Sequence, residues 1–107
     1  MNKQTITTGR DGNLIRIGTS NGYTISIGIG AYHYCDNKNY AVGGVEGPVE
    51  TPTSTLEVAV LDSIGNLDYS YTGGNDVAGY VPVSRLGEIV AAVEAGDAGE
   101  CSRVVGR

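Results

Sequence analysis

The residues best suited to catalysis or metal binding lie in one short stretch that contains His33, Cys35 and Asp36. Successive side chains alternate between the faces of a strand, so His33 and Cys35 would share one face there. A Cys–His catalytic pair also needs a third group that orients the base, and structural zinc needs about four ligands. Cys101 could add one ligand, but the chain has no second histidine. We therefore expect no catalytic site and no metal site.

Glycine pairs and carboxylate pairs offer little further chemistry. The pairs at 43–44 and 73–74 do not belong to a phosphate-binding loop, and the sequence GIGAYH lacks the third glycine of a dinucleotide fingerprint. Glu57 and Asp68 could approach each other across a hairpin, but the same hairpin would hold both in solvent, where nothing prepares them for acid–base work. We expect neither an enzyme nor a cofactor.

Cysteine content and hydropathy indicate the compartment. Two cysteines without a recognisable export signal are typical of a reducing cytoplasm. No apolar run reaches the roughly 20 residues of a membrane span. We expect a cytoplasmic protein with two reduced thiols and no contact with a membrane.

Negative charge is concentrated in the second half of the chain. Residues 46–100 hold ten carboxylates against Arg85 alone, whereas residues 1–45 carry a net charge of +2. Such an acidic body repels nucleic acid, which needs a basic footprint, and it favours a basic protein surface. The alternative is an acidic surface that only keeps the protein soluble. The acidic face expected to bind a partner comprises Glu46, Glu50, Glu57, Asp62, Asp68 and Asp76.

All seven aromatic residues are tyrosines. Tyr32 and Tyr34 precede a polar turn, and Tyr40 follows it. Tyrosine supplies rigid contact area and is enriched at binding hot spots, so we expect these three side chains to contact a partner. Alternatively, they cover the open end of a small sheet.

The stretch YTISIGIGAYHYC at 23–35 organises the predicted sheet. Its isoleucines alternate with small or polar residues, which is typical of a half-buried strand. An Asp-Gly pair before it predicts a two-residue loop between strands at 4–8 and 14–19. In the next hairpin, a three-residue loop with Gly22 in the left-handed conformation keeps the isoleucines of both strands on the same face of the sheet. The isoleucines expected on the inner face are Ile6, Ile15, Ile17, Ile25 and Ile27.

The second half predicts a hairpin, an edge strand and a helix. The hairpin joins strands at 56–61 and 67–72 and places Glu57 and Asp68 on one outward face. The edge strand follows at 77–81. Ser84 is the expected N-cap of a helix whose apolar stripe ends before Gly96. Residues 97–107 have little to bury, so we expect them to fray.

These elements predict an α+β fold, with an antiparallel meander of about five to seven strands and one C-terminal amphipathic helix on a face. Residues 1–96 are expected to form a single domain. In size, acidic charge and architecture, the chain resembles the small accessory proteins by which bacteriophages block host defences, including anti-CRISPR proteins. Those proteins share no sequence pattern, so no functional residue carries over. The resemblance implies a non-enzymatic inhibitor in the host cytoplasm that occludes a basic, nucleic-acid-binding surface of a host defence protein.

Two other functions fit the same sequence. The first is a protein that binds or sequesters a small molecule or nucleotide through tyrosines and the backbone amides of its glycine loops. The second is a structural or assembly module that forms a homo-oligomer, such as a homodimer, through an edge strand.

Overall fold

The protein forms a five-stranded antiparallel sheet followed by two helices, in a computed structural model that describes residues 3–8, 14–29, 35 and 53–106. Among the strands of the described residues, neighbours in the sheet are also consecutive in sequence order. The α+β class and the antiparallel meander are therefore confirmed. No helix in the described ranges is long and apolar enough to cross a bilayer. The elements are β1 Thr5–Thr8, β2 Leu14–Gly18, β3 Thr24–Gly28, β4 Thr55–Leu61, β5 Ala78–Pro82, α1 Leu86–Glu94 and α2 Ala98–Val105.

The first two strand pairings have the predicted register. Ile17 lies opposite Ile6 on one side and Ile25 on the other, and this row continues to Val60 of β4. Gly22 has a φ of 89°, as the three-residue turn requires. The alternation of the isoleucines fixes this register, because a slip of one residue would move every isoleucine to the opposite face of the sheet.

Burial falls steadily along this row towards the edge of the sheet. Val60 and Ile25 are buried, Ile17 is half-buried, and Ile6 is 71% exposed. The prediction that Ile6 points into the core is therefore wrong, although its register is right. The buried cluster joins α1 and α2 to β3, β4 and β5, and β1 lies beyond its edge.

The predicted second hairpin does not form. After a single bridge between Leu61 and Leu67, the chain enters a 3-10 turn at Tyr69–Tyr71. Asp68 causes this change, because its carboxylate accepts the backbone N–H of Ser70 and caps the turn. The turn directs Tyr71 into the core. Consequently, no ladder sets Glu57 and Asp68 side by side, and that placement is wrong.

Helix α1 has the predicted apolar stripe, with Ile89 and Val93 fully buried. Ser84 is not its N-cap: it lies in a 3-10 turn at Val83–Arg85 that leads into the helix without any side-chain cap. The predicted end is confirmed. Gly96 has a φ of 70°, and the amides of Gly96 and Asp97 donate to the carbonyls of Val93 and Ala92.

Helix α2 replaces the frayed tail expected at 97–107. The Asp97 carboxylate accepts the amide of Glu100 at 3.1 Å and caps the helix. Cys101, Val104 and Val105 are buried against the main cluster. The three buried positions recur at helical spacing, and this stripe attaches the segment to the core.

The β2–β3 turn holds the end of α1 in place; we call this contact the turn–helix clamp. The Asn21 side-chain amide donates to the carbonyl of Val93 at 2.8 Å. The Glu94 carboxylate accepts the backbone amide of Ser20 at 3.0 Å, the Ser20 hydroxyl and the side-chain amide of Gln4. Two residues of the β2–β3 turn and Gln4, which directly precedes β1, therefore bind the last turn of α1.

Truncation of a core side chain should be far more costly than truncation of its outward neighbour. Ile27→Ala should lower the free energy of unfolding by about 2–4 kcal/mol, because Ile27 is buried in the cluster. Ser26→Ala should cost much less, since Ser26 lies on the opposite face and is only half-buried. Chemical denaturation measures both. Equal losses would mean that the two faces of β3 are packed equally tightly.

Loss of the clamp should destabilise the protein by a smaller amount. Asn21→Ala should lower the free energy of unfolding by about 1–2 kcal/mol, because it removes the hydrogen bond to Val93 together with the two bonds that Asn21 Oδ1 accepts inside the turn from Thr19 and Tyr23. Asn66→Ala is the matched control: Asn66 is exposed, and within the described residues its side chain makes no hydrogen bond. Similar losses in both variants, by thermal or chemical denaturation, would contradict a stabilising clamp.

Candidate protein-interaction surface

Four of the six carboxylates predicted to bind a partner fall within the described residues. Glu57 is half-buried in β4, and Asp62, Asp68 and Asp76 lie in the connection between β4 and β5. Glu46 and Glu50 lie outside the described residues, so the extension of the patch that they were expected to provide stays a prediction.

The three aspartates of this connection also shape it. The Asp62 carboxylate accepts the amides of Ile64 at 3.0 Å and Asn66 at 2.9 Å. Asp68 caps the 3-10 turn, and Asp76 accepts the amide of Val77 at 2.9 Å. These contacts involve N–H donors and leave each negative charge in place. These carboxylates therefore also stabilise the local fold. The prediction of a charged face did not include this role.

Large apolar side chains are exposed between Asp62 and Asp68 and directly after Asp68. Ile64 is 79%, Leu67 40% and Tyr69 52% exposed. We call residues 62–69 the contact loop. The backbone amide of Asp62 donates to the carbonyl of Asn66 at 2.7 Å, and the backbone amide of Asp68 donates to the carbonyl of Val60 at 2.8 Å. The loop is therefore folded back on β4. Exposed aliphatic and aromatic groups beside carboxylates suit a basic protein surface.

Tyr23 anchors the contact loop to the sheet. Its hydroxyl donates to Asp68 Oδ2 at 3.1 Å, and its ring lies 5.3 Å from that of Tyr71, measured between centroids. The hydrogen bond to Asp68 raises the pKa of Tyr23, and partial burial of the ring adds to this shift. The pKa of Asp68 is lowered, mainly because Ser70 donates to its carboxylate. Asp68 therefore stays charged while its carboxylate accepts hydrogen bonds from both Tyr23 and Ser70.

The predicted aromatic contacts, Tyr32, Tyr34 and Tyr40, lie outside the described residues, as does His33. The structure instead places Tyr69 in the exposed contact loop, where sequence reasoning had assigned it to a strand face. The local signal for this difference is Asp68 two residues before Ser70, a spacing at which an aspartate often bonds the backbone ahead of it.

Cys101 does not have the environment of a reactive thiol. Cys35 and Cys101 are buried and form no disulfide with each other. Burial raises the pKa of Cys101 to about 11, so little thiolate exists at neutral pH. Within the described part of the chain, no group of three or more His, Cys, Asp or Glu side chains is placed to hold a metal ion.

Comparisons with known proteins found no match to a family model, a curated protein or a solved structure.

Removal of the Asp68 charge should lower the pKa of Tyr23. Because the folded pKa of Tyr23 is raised, its contribution to stability is present below the unfolded value near 10 and is lost as the pH rises through the folded value. In Asp68→Asn, the new side chain can still accept the Ser70 amide, and the pKa of Tyr23 should fall towards 10. Alkaline titration followed by NMR of the tyrosine rings measures it. An unchanged Tyr23 pKa would show that Asp68 does not control this group.

Proposed function

We propose that this chain is a non-enzymatic binding protein whose contact loop docks on a basic protein surface. The observation that carries the proposal is the composition of the loop, in which the exposed Ile64 and Leu67 lie between two aspartates and the exposed Tyr69 follows the second. Hot spots commonly combine an aromatic or aliphatic anchor with a surrounding polar rim. Here Ile64 and Tyr69 are the anchors, and Asp62 and Asp68 provide the charges that attract a basic partner.

The charge distribution supports a basic partner. Residues 53–106 contain eight carboxylates and two arginines. Arg85 pairs with Glu88 and Arg103 with Glu100, each three residues apart on the same segment. Each of these arginines therefore pairs within the segment, and the segment as a whole has a formal net charge of −6. Such a field attracts a positively charged surface and raises the rate of encounter.

The resemblance to phage accessory proteins implies what this binding would achieve in the cell. We propose that the chain acts in the host cytoplasm as an inhibitor, and that it covers a surface of a host defence protein that otherwise holds nucleic acid. Carboxylates held by backbone amides mimic the fixed negative charges of a phosphate backbone, since both present oxygens at fixed positions to Lys and Arg.

The first test removes charge without disturbing the loop. In the double variant Asp62→Asn, Asp68→Asn, each amide oxygen can still accept a backbone N–H, so the turns should persist. Its association with the partner, captured by affinity purification and identified by mass spectrometry, should be about tenfold slower at low salt, and the salt dependence should flatten. Binding kinetics at several salt concentrations measure both effects.

The second test removes an apolar anchor and has a matched control. Ile64→Ser should raise the dissociation rate, because short-range contacts act mostly there. Ile6→Ser removes an isoleucine of similar exposure on β1 and should change neither rate. Equal effects of the two substitutions would remove the contact loop from the mechanism. A tightly bound metabolite in the purified protein, without a captured protein, would favour the small-molecule function instead.

A further inference from the structure

Strand β1 is one edge of the sheet formed by the described residues, and it has no charge, proline or bulge that would hinder pairing with a further strand. Edge strands are commonly blunted by such features. The other edge, β5, has two of them: Pro82, which has no N–H donor, and a register shift in its pairing with β4. Strand β1 has the sequence TITT, pairs regularly with β2 and is exposed at all four positions.

The hydrogen-bond pattern of the sheet shows which backbone groups of β1 point outward. The amide of Thr19 donates to the carbonyl of Tyr23 at 2.8 Å, so the backbone groups of Thr19 point towards β3. These groups alternate in direction from residue to residue along a strand. Those of Gly18 therefore point towards β1, where Gly18 pairs with Thr5. The amide and carbonyl of Ile6 then point out of the sheet, and within the described residues they have no partner.

The side chain of Ile6 is uncovered as well. Ile6 ends the apolar row that runs through Ile17 and Ile25 on the helix-covered face of the sheet, and it is 71% exposed. The buried cluster beneath the helices does not extend to β1, so the helices leave the approach to this edge open. One residue thus combines an unpaired edge backbone with an exposed apolar side chain.

We propose that β1 pairs in antiparallel orientation with β1 of a second copy of this chain, around a twofold axis between the two Ile6 residues. Two five-stranded sheets then join into one, with both helical layers on the same face. Each Ile6 donates its amide to the other Ile6 and accepts at its carbonyl in return. Gln4 of each copy pairs in the same way with Thr8 of the other, because backbone groups two residues apart point in the same direction.

This register is the one that places the two isoleucines directly opposite each other. A slip of one residue would turn the helix-covered face of one copy towards the opposite side of the sheet. A slip of two residues would set Ile6 against Gln4 or Thr8. In the register centred on Ile6, the two exposed side chains cover each other, and the apolar row continues from one copy into the next.

The charge distribution favours a second copy at this edge. Residues 3–8 and 14–29 contain no aspartate or glutamate, whereas residues 53–106 have a formal net charge of −6. Two acidic proteins repel each other, and pairing through β1 brings them together at strands without carboxylates. Glu94, which reaches this edge from α1, accepts hydrogen bonds from Gln4 and Ser20 of its own chain.

The pairing is independent of the function proposed above. The contact loop follows β4, and β2 and β3 lie between β4 and β1. The loop of each copy therefore stays free in the dimer, and a substitution at Ile6 does not change it.

The first measurement is sedimentation of the full-length protein at increasing concentration, where we expect a reversible monomer–dimer equilibrium. Ile6→Lys should raise the dissociation constant of the dimer about tenfold, because it places like charges opposite each other on the edge. Its Tm should change little, since Ile6 is exposed. Ile64→Lys is the matched control: Ile64 is 79% exposed in the contact loop, and this variant should dimerise as the wild type does.

The second measurement tests the register by cross-linking. In Ile6→Cys, the two new thiols lie in a directly opposed pair with Cα atoms about 5.5 Å apart, which a disulfide can bridge. In Thr7→Cys, they lie diagonally across the interface, with Cα atoms about 8 Å apart, which is too far. The native Cys35 and Cys101 are buried. Mild oxidation should therefore link the Ile6→Cys variant into dimers and leave the Thr7→Cys variant unlinked.

Three results would overturn the inference. One is a monomer at every concentration, which would leave β1 for a strand of a different protein. Another is a dimer that Ile64→Lys weakens and Ile6→Lys does not, which would move the interface to the contact loop. The third is equal cross-linking of the Ile6→Cys and Thr7→Cys variants. Since none of these experiments uses the basic partner, they can fail without affecting the proposed function.

Discussion

The turn–helix clamp is the contact on which the position of the helical layer depends. Helix α1 has nine residues and no side-chain cap at its N-terminus, and a helix this short is marginal by itself. Its last turn is bound by Ser20, Asn21 and Gln4. Since α2 follows after a short connection, the same contact also sets where α2 lies on the sheet. Both helices then supply one side of the core.

The first half of the sheet could be predicted because the sequence contains two independent constraints. Isoleucine parity and turn chemistry agree on one register for β1, β2 and β3, and any other register would expose the isoleucines. The same parity could not show that Ile6 is exposed, because exposure depends on how far the helices extend over the sheet. The sequence pattern of a single strand contains no information on how far the helices extend over the sheet.

The second half was harder to predict because short polar side chains compete with the regular pattern. Residues 67–72 alternate like a strand, yet Asp68 bonds the backbone and produces a 3-10 turn. Helix α2 has only eight residues, and its signals are the Asp97 cap and the spacing of Cys101, Val104 and Val105. The sequence predicted an acidic surface, a prediction that stays open, but it did not predict the exposed Ile64 and Tyr69, since the predicted hairpin had given them other positions.

The order of the strands has a consequence for the speed of folding. β1, β2 and β3 are joined by connections of five residues each, but 26 residues separate Gly28 at the end of β3 from Thr55 at the start of β4. The β3–β4 pairing lies at the centre of the sheet, so this long closure must precede completion of the core. Closure entropy grows slowly with length, by about 0.6 kcal/mol for each doubling. Folding should therefore be governed by one non-local encounter, between a preformed three-stranded meander and the segment that carries β4 and the helices.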